Sequence, residues 1–249
     1  MAGAIAVLHP LDRADGSASY KCPSTGSNIL GSVNAPIELP GRRDALKPEE
    51  ATIEVFVKPG TAPGGVGERY VEGILRTALG RVILGHEKGY PRRGIVITLV
   101  IVGGDNVTRG GSYLPLLPAL LHTATLALLS ASVPMSLTMS ATIFAVDSAG
   151  EIIREPSTKE ATAATSLHVL VFTSKGHLLL NESEGTFTFD TWEAVYERAL
   201  AVCHGSSTLS SDGDVAMTET TEGQPLEGVL RAIVEDRIHS EYAWKFAAA

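Results

Sequence analysis

The stretch from Gly110 to Val146 contains no Asp, Glu, Lys or Arg. A stretch of this length and composition is stable only where it is buried, either in a lipid bilayer or in the core of a folded domain. Its first part repeats leucine and alanine at spacings of three and four residues from Leu117 to Leu129, which predicts a helix. Its second part alternates apolar residues with Ser and Thr from Ser136 to Ala145, which predicts a strand with one apolar face.

A membrane span is the alternative interpretation of this stretch. Pro115, Pro118 and His122, together with many Ser and Thr side chains, would make a poor lipid-facing surface. No basic flank sets an orientation across a bilayer. The pattern therefore favours a helix in the middle of a soluble domain, apolar on nearly all sides and covered by a sheet and by neighbouring elements.

The composition is typical of an ordered intracellular protein. With 249 residues, 44% of them hydrophobic, the chain can form one large domain or two small ones. Cys22 and Cys203 are too few for a disulfide framework, and the first residues lack the basic flank and the long apolar run of a signal peptide. We therefore expect an intracellular protein with free thiols.

The net charge of −8 argues against a stand-alone nucleic-acid binder. Affinity for a phosphate backbone comes from concentrated Lys and Arg. The pairs Arg42-Arg43 and Arg92-Arg93 are basic, but isolated pairs are more typical of a solvated surface. Any nucleic acid must therefore be bound locally or within a larger assembly.

The first half of the chain predicts a hairpin followed by a strand–helix–strand crossover. The hairpin spans Gly16 to Leu39, and a third strand spans Ala51 to Val57. An amphipathic helix follows from Glu68 to His86, and Gly94 to Val102 is a β-branched run typical of a strand covered on both faces.

The glycines between the third strand and the helix resemble a phosphate-binding loop in spacing only. Gly60 and Gly65 have the required separation, but Val66 and Gly67 stand where such a loop needs Lys and then Ser or Thr. We interpret this segment as a connecting loop.

The second half continues with further strands and helices after the buried stretch. It predicts an edge strand from Glu151 to Arg154, a partly helical segment from Pro156 to Thr165 and a hairpin from Ser166 to Asn181. A helix capped by Asp190 and stopped by Gly205 follows. His168 is predicted to be a strand residue, because it has no partner at metal-ligand spacing.

The last part of the chain has little to bury before a final helix. Residues 206–224 consist mainly of Ser, Thr, Gly and acidic residues, which predicts disorder, and Pro225 to His239 predicts a helix. The predicted organisation is an N-terminal extension (1–14), a main domain (15–204), a disordered insertion (205–224) and a C-terminal helix of the same domain (225–249).

Several motifs, in this order and spacing, resemble those of the RNase PH family of phosphorolytic exoribonucleases. They cover about residues 15–204, and the most specific is the stretch from Ala124 to Met135. The full set is Asp15 to Ser19, Glu68 to Leu79, Tyr90 to Arg92, Gly110 to Ser112, Ala124 to Met135 and Glu155 to Glu160.

The resemblance implies an α+β fold: a single RNase PH-like domain of two related β-α units, of the ribosomal protein S5 domain 2-like type, with mixed sheets and helices packed on them. It also implies what an active member needs. Backbone N–H groups and an arginine hold phosphate, a pair of carboxylates six residues apart holds a metal ion, and paired arginines before the first helix bind RNA.

This chain departs from that pattern in three places. Tyr113 stands where active members commonly have the phosphate-binding arginine. Glu160 and Ser166 stand at the carboxylate positions, and the RNA-binding arginines fall near Val66 and Gly67, with Arg69 close by. The loss of a charge-assisted contact and of a metal ligand predicts no enzyme activity, no catalytic residues, no metal site and no cofactor. The start of the helix after Ser112 is predicted to be remodelled by Pro115 and Pro118.

The resemblance therefore implies a non-catalytic ring subunit of the eukaryotic RNA exosome, a scaffold for 3′–5′ processing and degradation of RNA, including rRNA. The implied partners are other RNase PH-like ring subunits, RNA-binding cap subunits, an associated nuclease and single-stranded RNA in the ring channel. Arg69 and Arg93 are the candidate RNA-binding residues, with ordinary surface salt bridges as the alternative. The implied location is the nucleus and nucleolus, and also the cytoplasm.

Two other functions stay open on the sequence. One is an active phosphate-dependent or metal-dependent 3′–5′ exoribonuclease that uses the remaining acids. The other is a structural ring that assembles from copies of this chain without RNA.

Overall fold

The computed structural model describes residues 5–21, 26–39, 47–60, 64–103, 112–205 and 225–246. Within these ranges the chain forms an α+β fold of two sheets with helices packed on them. In chain order the elements are β1 (Ile5–Leu8), β2 (Gly16–Lys21), β3 (Asn28–Ile37), β4 (Thr52–Pro59), α1 (Val66–Gly80), β5 (Gly94–Gly103), α2 (Leu117–Ser130), β6 (Met139–Val146), β7 (Ile152–Arg154), α3 (Thr158–Ala163), β8 (Ser166–Thr173), β9 (Leu178–Gly185), α4 (Phe189–His204), α5 (Leu226–Glu241) and α6 (Ala243–Phe246).

The two sheets differ in their strand directions. The first has the order β1-β2-β3-β5-β4, and β4 pairs with β5 in parallel, because α1 carries the chain across between them. The second has the order β7-β6-β8-β9, and all of its pairs are antiparallel. The α+β class is confirmed, but of the two described sheets only the first is mixed.

Helix α2 lies between the two sheets, as its lack of charge predicts. Every residue from Leu117 to Leu128 is buried, and α2 packs on β2 and β3 of the first sheet and on β6 of the second. No helix within the described ranges has the length and hydropathy that crossing a bilayer requires. The core interpretation of the uncharged stretch is therefore confirmed for α2 and β6.

Strand coverage differs from the sequence prediction in both sheets. In β6, the Ser and Thr face is buried along with the apolar face, because α4 covers the side of the second sheet away from α2. In β5, Ile95, Ile97 and Leu99 are fully buried, whereas the residues between them are only partly buried. The prediction that β5 is covered on both faces is therefore wrong.

The bounds of α1 and α4 also differ from the predictions, and β1 was not predicted. Helix α1 ends at Gly80 instead of His86, because the residues after it pair with the turn that follows α2: Leu84 N–H donates to Pro134 O at 3.0 Å and Ser136 N–H donates to Val82 O at 2.8 Å. Helix α4 begins one residue before Asp190 and is capped by Thr188, whose hydroxyl accepts from Thr191 N–H. Strand β1, which no sequence pattern predicts, pairs with β2.

The remaining sequence predictions have mixed outcomes. Gly205 ends α4 with φ of +86°, which confirms the predicted stop. Cys203 is a buried free thiol whose pKa is raised to about 11 by burial. Arg42-Arg43, Cys22 and residues 206–224 lie outside the described residues, and the domain boundaries stay predictions.

Candidate phosphate and RNA site

The N-terminus of α1 is closed by the side chain of Glu68. Glu68 Oε2 accepts a hydrogen bond of 2.7 Å from the N–H of the N-cap residue Gly65, and the side chain is buried, with 8% of its surface exposed. A carboxylate in the first turn also interacts favourably with the positive end of the helix dipole. The position that could attract an anion therefore already holds one from the chain itself.

Tyr113 binds the same carboxylate from the other side. Its hydroxyl donates to Glu68 Oε1 at 2.5 Å, and its ring packs on Gly67, where an added Cβ would lie 2.7 Å from the ring. Gly67 therefore leaves room for the tyrosine. Tyr113 stands at the expected position of the phosphate-binding arginine, and Glu68 stands beside the expected position of the RNA-binding arginines. The two residues form one hydrogen-bonded pair.

The charge states of this pair are fixed by its surroundings. Burial disfavours the charged form of Glu68, but the hydrogen bonds from Tyr113 and from backbone N–H groups outweigh it, and the pKa of Glu68 lies below its ordinary value. Burial raises the pKa of Tyr113, and the neighbouring carboxylate raises it further. At neutral pH the site therefore holds a negative carboxylate and a protonated tyrosine.

The start of α2 offers few backbone donors for a phosphate. A 3-10 turn from Leu114 to Leu116 precedes the helix. Leu114 N–H donates to Ser112 Oγ, Leu116 N–H to Tyr113 O and Leu117 N–H to Leu114 O, while Pro115 and Pro118 have no N–H. A helix N-terminus binds anions through free N–H groups, so these five positions cannot do so.

Glu160, the first of the two expected carboxylate positions, caps helix α3. Its Oε2 accepts from the N–H and from the hydroxyl of Ser157, both at 2.8 Å. These hydrogen bonds, the backbone one first, lower the pKa of the exposed Glu160 carboxyl. The carboxylate is thereby used in a capping box.

Ser166, at the second carboxylate position, is buried in a chain of hydrogen bonds through β8 and β9. Ser183 Oγ donates to Asn181 Oδ1 at 3.1 Å, so it accepts from His168 Nδ1 at 2.9 Å. His168 Nε2 is then the acceptor for Ser166 Oγ at 3.0 Å. Burial lowers the pKa of His168, and Phe187 packs edge-on against its ring. This chain is neutral and leaves no free metal ligand on His168.

The prediction for His168 is confirmed, since it is a buried strand residue. Its partner was visible in the sequence, because Ser166 precedes it by two residues and alternate residues of a strand share a face. The Tyr113–Glu68 pair had no such signal, since the two residues are 45 apart in the chain. Among the described residues no group of three or more His, Cys, Asp or Glu side chains could hold a metal ion.

The structure does not bring Arg69 and Arg93 together. Arg69 lies in the first turn of α1, with its side chain 84% exposed and its Nε 3.9 Å from Glu72 Oε2. Arg93 is exposed and directly precedes β5. The two therefore lie at opposite ends of the β4–β5 ladder, whose eight residue pairs extend over roughly 23 Å at about 3.3 Å per residue.

Replacing Tyr113 by phenylalanine is expected to lower the free energy of unfolding by about 2 kcal/mol, because a buried carboxylate loses a hydrogen bond. The pKa of Glu68 should rise at the same time. Urea unfolding and an NMR titration of the Glu68 carboxyl carbon measure the two effects.

Tyr70→Phe is the matched control. The Tyr70 hydroxyl lies 3.5 Å from Glu182 Oε2, and Tyr70 is 60% exposed. Its loss is expected to change stability by about 0.5 kcal/mol or less. Equal effects of the two substitutions would contradict a structural role for the buried pair.

The chain is similar to known proteins in sequence and in fold. No family model matches the chain. A rice (Oryza sativa subsp. japonica) protein named exosome complex exonuclease RRP46 homolog is 33% identical over 164 residues, which are 66% of this chain and 63% of the rice protein. The chain therefore matches less than two thirds of that relative's length.

Solved structures share the arrangement of sheets and helices. The crystal structure of rice Rrp46 is 28% identical, with a TM-score of 0.70 over 80% of this chain and 88% of that one. The Archaeoglobus fulgidus exosome with RNA bound to the active site and an archaeal exosome core are each 12% identical, with TM-scores of 0.63 over 80% of this chain, and show the fold alone. The chain is therefore similar in sequence to the rice RRP46 homolog and shares the fold of these exosome subunits.

Proposed function

We propose that the chain is a non-catalytic RNase PH-like ring subunit of an RNA exosome, which supports 3′–5′ processing and degradation of RNA, including rRNA. The observation that carries this proposal is the Glu68–Tyr113 pair. It puts a buried negative charge beside the position from which an active relative would bind phosphate. Two unit charges of the same sign 4 Å apart repel by about 4 kcal/mol at the effective dielectric constant of a partly buried site.

Two further features support an inert site. The backbone donors of the first turn before α2 are used within the turn or missing at proline. Glu160 caps α3, and Ser166 donates to a histidine, so the carboxylate pair expected of an active member is reduced to one acid. A divalent ion held by a single carboxylate is weakly bound.

A ring assembly also explains the two long sheet edges with which no described strand pairs. Strand β9 has eight residues and lies at the edge of the second sheet, and β4, also of eight residues, lies at the edge of the first. Long free edges pair readily with other chains unless something covers them. In the proposed ring, other RNase PH-like subunits pack on this chain, RNA-binding cap subunits lie above the ring, and an associated nuclease below it supplies the cleavage.

Arg69 and Arg93 would contact single-stranded RNA as separate points in the channel, because they lie at opposite ends of the β4–β5 ladder. The acidic net charge is compatible with this role, since only the channel face has to be basic. We place the assembly in the nucleus and nucleolus, and also in the cytoplasm.

The alternative function is an active phosphate-dependent or metal-dependent 3′–5′ exoribonuclease. The rice relative has the word exonuclease in its name, and Glu160 is an acid at one expected position. The embedded Glu68 carboxylate argues against this alternative. A structural ring built from copies of this chain without RNA is the third possibility.

Size-exclusion chromatography with light scattering tests the assembly. The chain mixed with an RNase PH-like partner subunit from the same organism is expected to elute as a heterodimer. The heterodimer should form larger rings with the remaining subunits. A homohexamer of the chain alone would contradict the proposal and favour the self-assembled ring.

Ultraviolet cross-linking of the assembled ring to single-stranded RNA tests the two arginines. Arg69→Glu and Arg93→Glu are each expected to reduce cross-linking to this subunit by about threefold or more, because each reverses a charge near the RNA backbone. Arg198→Glu on α4 is the control for a charge change elsewhere on the subunit. Equal losses from all three substitutions would contradict specific roles for Arg69 and Arg93.

A further inference from the structure

A cavity of about 350 Å³ lies between α2, the start of β6 and helix α5. Its apolar wall consists of Leu126 and Leu129 of α2, Met139 of β6, and Leu230 and Val234 of α5. This cavity is separate from the site around Glu68 and Tyr113, none of whose residues line it.

The charged side chains that line this cavity, and the hydroxyl of Thr125, already have partners. Glu227 binds His204 Nδ1 at 2.9 Å, and Glu235 accepts from Arg231 Nε at 2.8 Å. The hydroxyl of Thr125 donates to Leu121 O within α2 at 2.8 Å. A charged ligand would have to break one of these pairs, so the lining favours a neutral and mainly apolar molecule.

The size of the cavity sets the size of the ligand. A dry apolar cavity of about 150 Å³ in a protein core holds one benzene ring. Small-molecule sites commonly begin at about 300 Å³ and are lined mainly by apolar side chains. A volume of 350 Å³ therefore fits a molecule of two fused rings.

The cavity is open to solvent beside α5, where the exposed side chains of Arg231 and Glu235 form part of its lining. Leu230 is the one side chain of α5 that is buried, and the helix packs on α4, β1, α2 and β6. An element held by few buried side chains opens more easily than the core. A ligand could then enter beside α5 while α2 and both sheets keep their packing.

We propose that the cavity beneath α5 is a binding site for a neutral, mainly apolar small molecule of about two rings. The bound molecule contacts Met139 and the leucines of α2 and holds α5 against the domain. All residues that line this site come from this one chain. The proposal does not depend on the function proposed above.

The test uses indole, a neutral two-ring probe, with the full chain labelled on its methionine methyl groups. Titration is expected to shift the Met139 methyl resonance in a saturable way. Val234→Trp fills the cavity and is expected to weaken indole binding by about tenfold or more, whereas Ala232→Trp, on the exposed side of the same helix, should change it by less than about twofold.

Circular dichroism first establishes that each variant is folded. If Val234→Trp does not fold, Leu129→Phe fills the cavity from α2 and carries the same expectation. Absence of a saturable shift at Met139, or wild-type binding by a folded cavity-filling variant, would overturn the proposal.

Discussion

Gly16→Ala is expected to lower the free energy of unfolding by about 3 kcal/mol, at the upper end of the usual range for overpacking in a core. A Cβ at Gly16 would lie 2.3 Å from Ala131 N and 2.5 Å from Ala127 O. Both neighbours are backbone atoms at the C-terminal end of α2, so no side chain can turn away. Strand β2 would have to separate from the central helix.

Gly73→Ala is the matched control for this substitution. Gly73 lies within α1, and nothing lies within 4 Å of the Cβ that alanine would add. Because glycine is a poor helix former, this change is expected to raise stability by about 0.5–1 kcal/mol. Urea unfolding followed by circular dichroism measures both. A loss below about 1 kcal/mol for Gly16→Ala would contradict the close contact of β2 with α2.

Acid is expected to destabilise the fold through His122, by about 3 kcal/mol between pH 6.5 and pH 4. His122 Nε2 accepts from Ala141 N–H at 2.9 Å, which connects α2 to β6, and burial lowers the pKa of the ring to about 4. The unfolded chain takes up this proton near pH 6.5. The contribution is therefore complete above that pH and is lost as the pH falls toward 4.

His122→Gln separates this histidine from other titrating groups. Burial also lowers the pKa of His168, so protonation of this ring destabilises the fold in the same direction. The pKa of the Glu68 carboxyl lies below its ordinary value, so the stability that this group contributes is lost only at lower pH. Urea unfolding at pH 7 and pH 5 is expected to show a pH-dependent loss that is smaller by about 2 kcal/mol in the variant. An identical loss in both proteins would show that His122 is not the group responsible.

The elements that could be predicted from the sequence are those that local pattern determines. The uncharged stretch predicted α2 and β6, because a helix apolar on all sides has to lie in a core. The pattern could not show where α1 ends, since its last predicted turn is replaced by backbone pairing with the residues around Pro134. Strand β1 could not be predicted, because four residues are too few to show an alternation of apolar and polar residues.

The sequence could show which residues occupy the positions of the site, but not which of these residues contact each other. The motif order marked Tyr113, Glu160 and Ser166 as departures from an active site. It could not show that Tyr113 binds Glu68, because that contact forms only when α1 and the turn before α2 meet in the fold. Arg69 is a candidate because it lies near the RNA-arginine position and Arg93 because it lies in a basic pair, and neither signal contains information about the length of the ladder that separates them.

The release of nucleoside diphosphates from single-stranded RNA, with inorganic phosphate and magnesium in excess, tests the inert site most directly. The pure chain and the assembled ring without its associated nuclease are both expected to release no more than a protein-free blank, since the buried Glu68 carboxylate, held by Tyr113, repels phosphate. Release of nucleoside diphosphates by the wild-type chain that disappears in Glu160→Ala would contradict the scaffold function and establish an active phosphorolytic site.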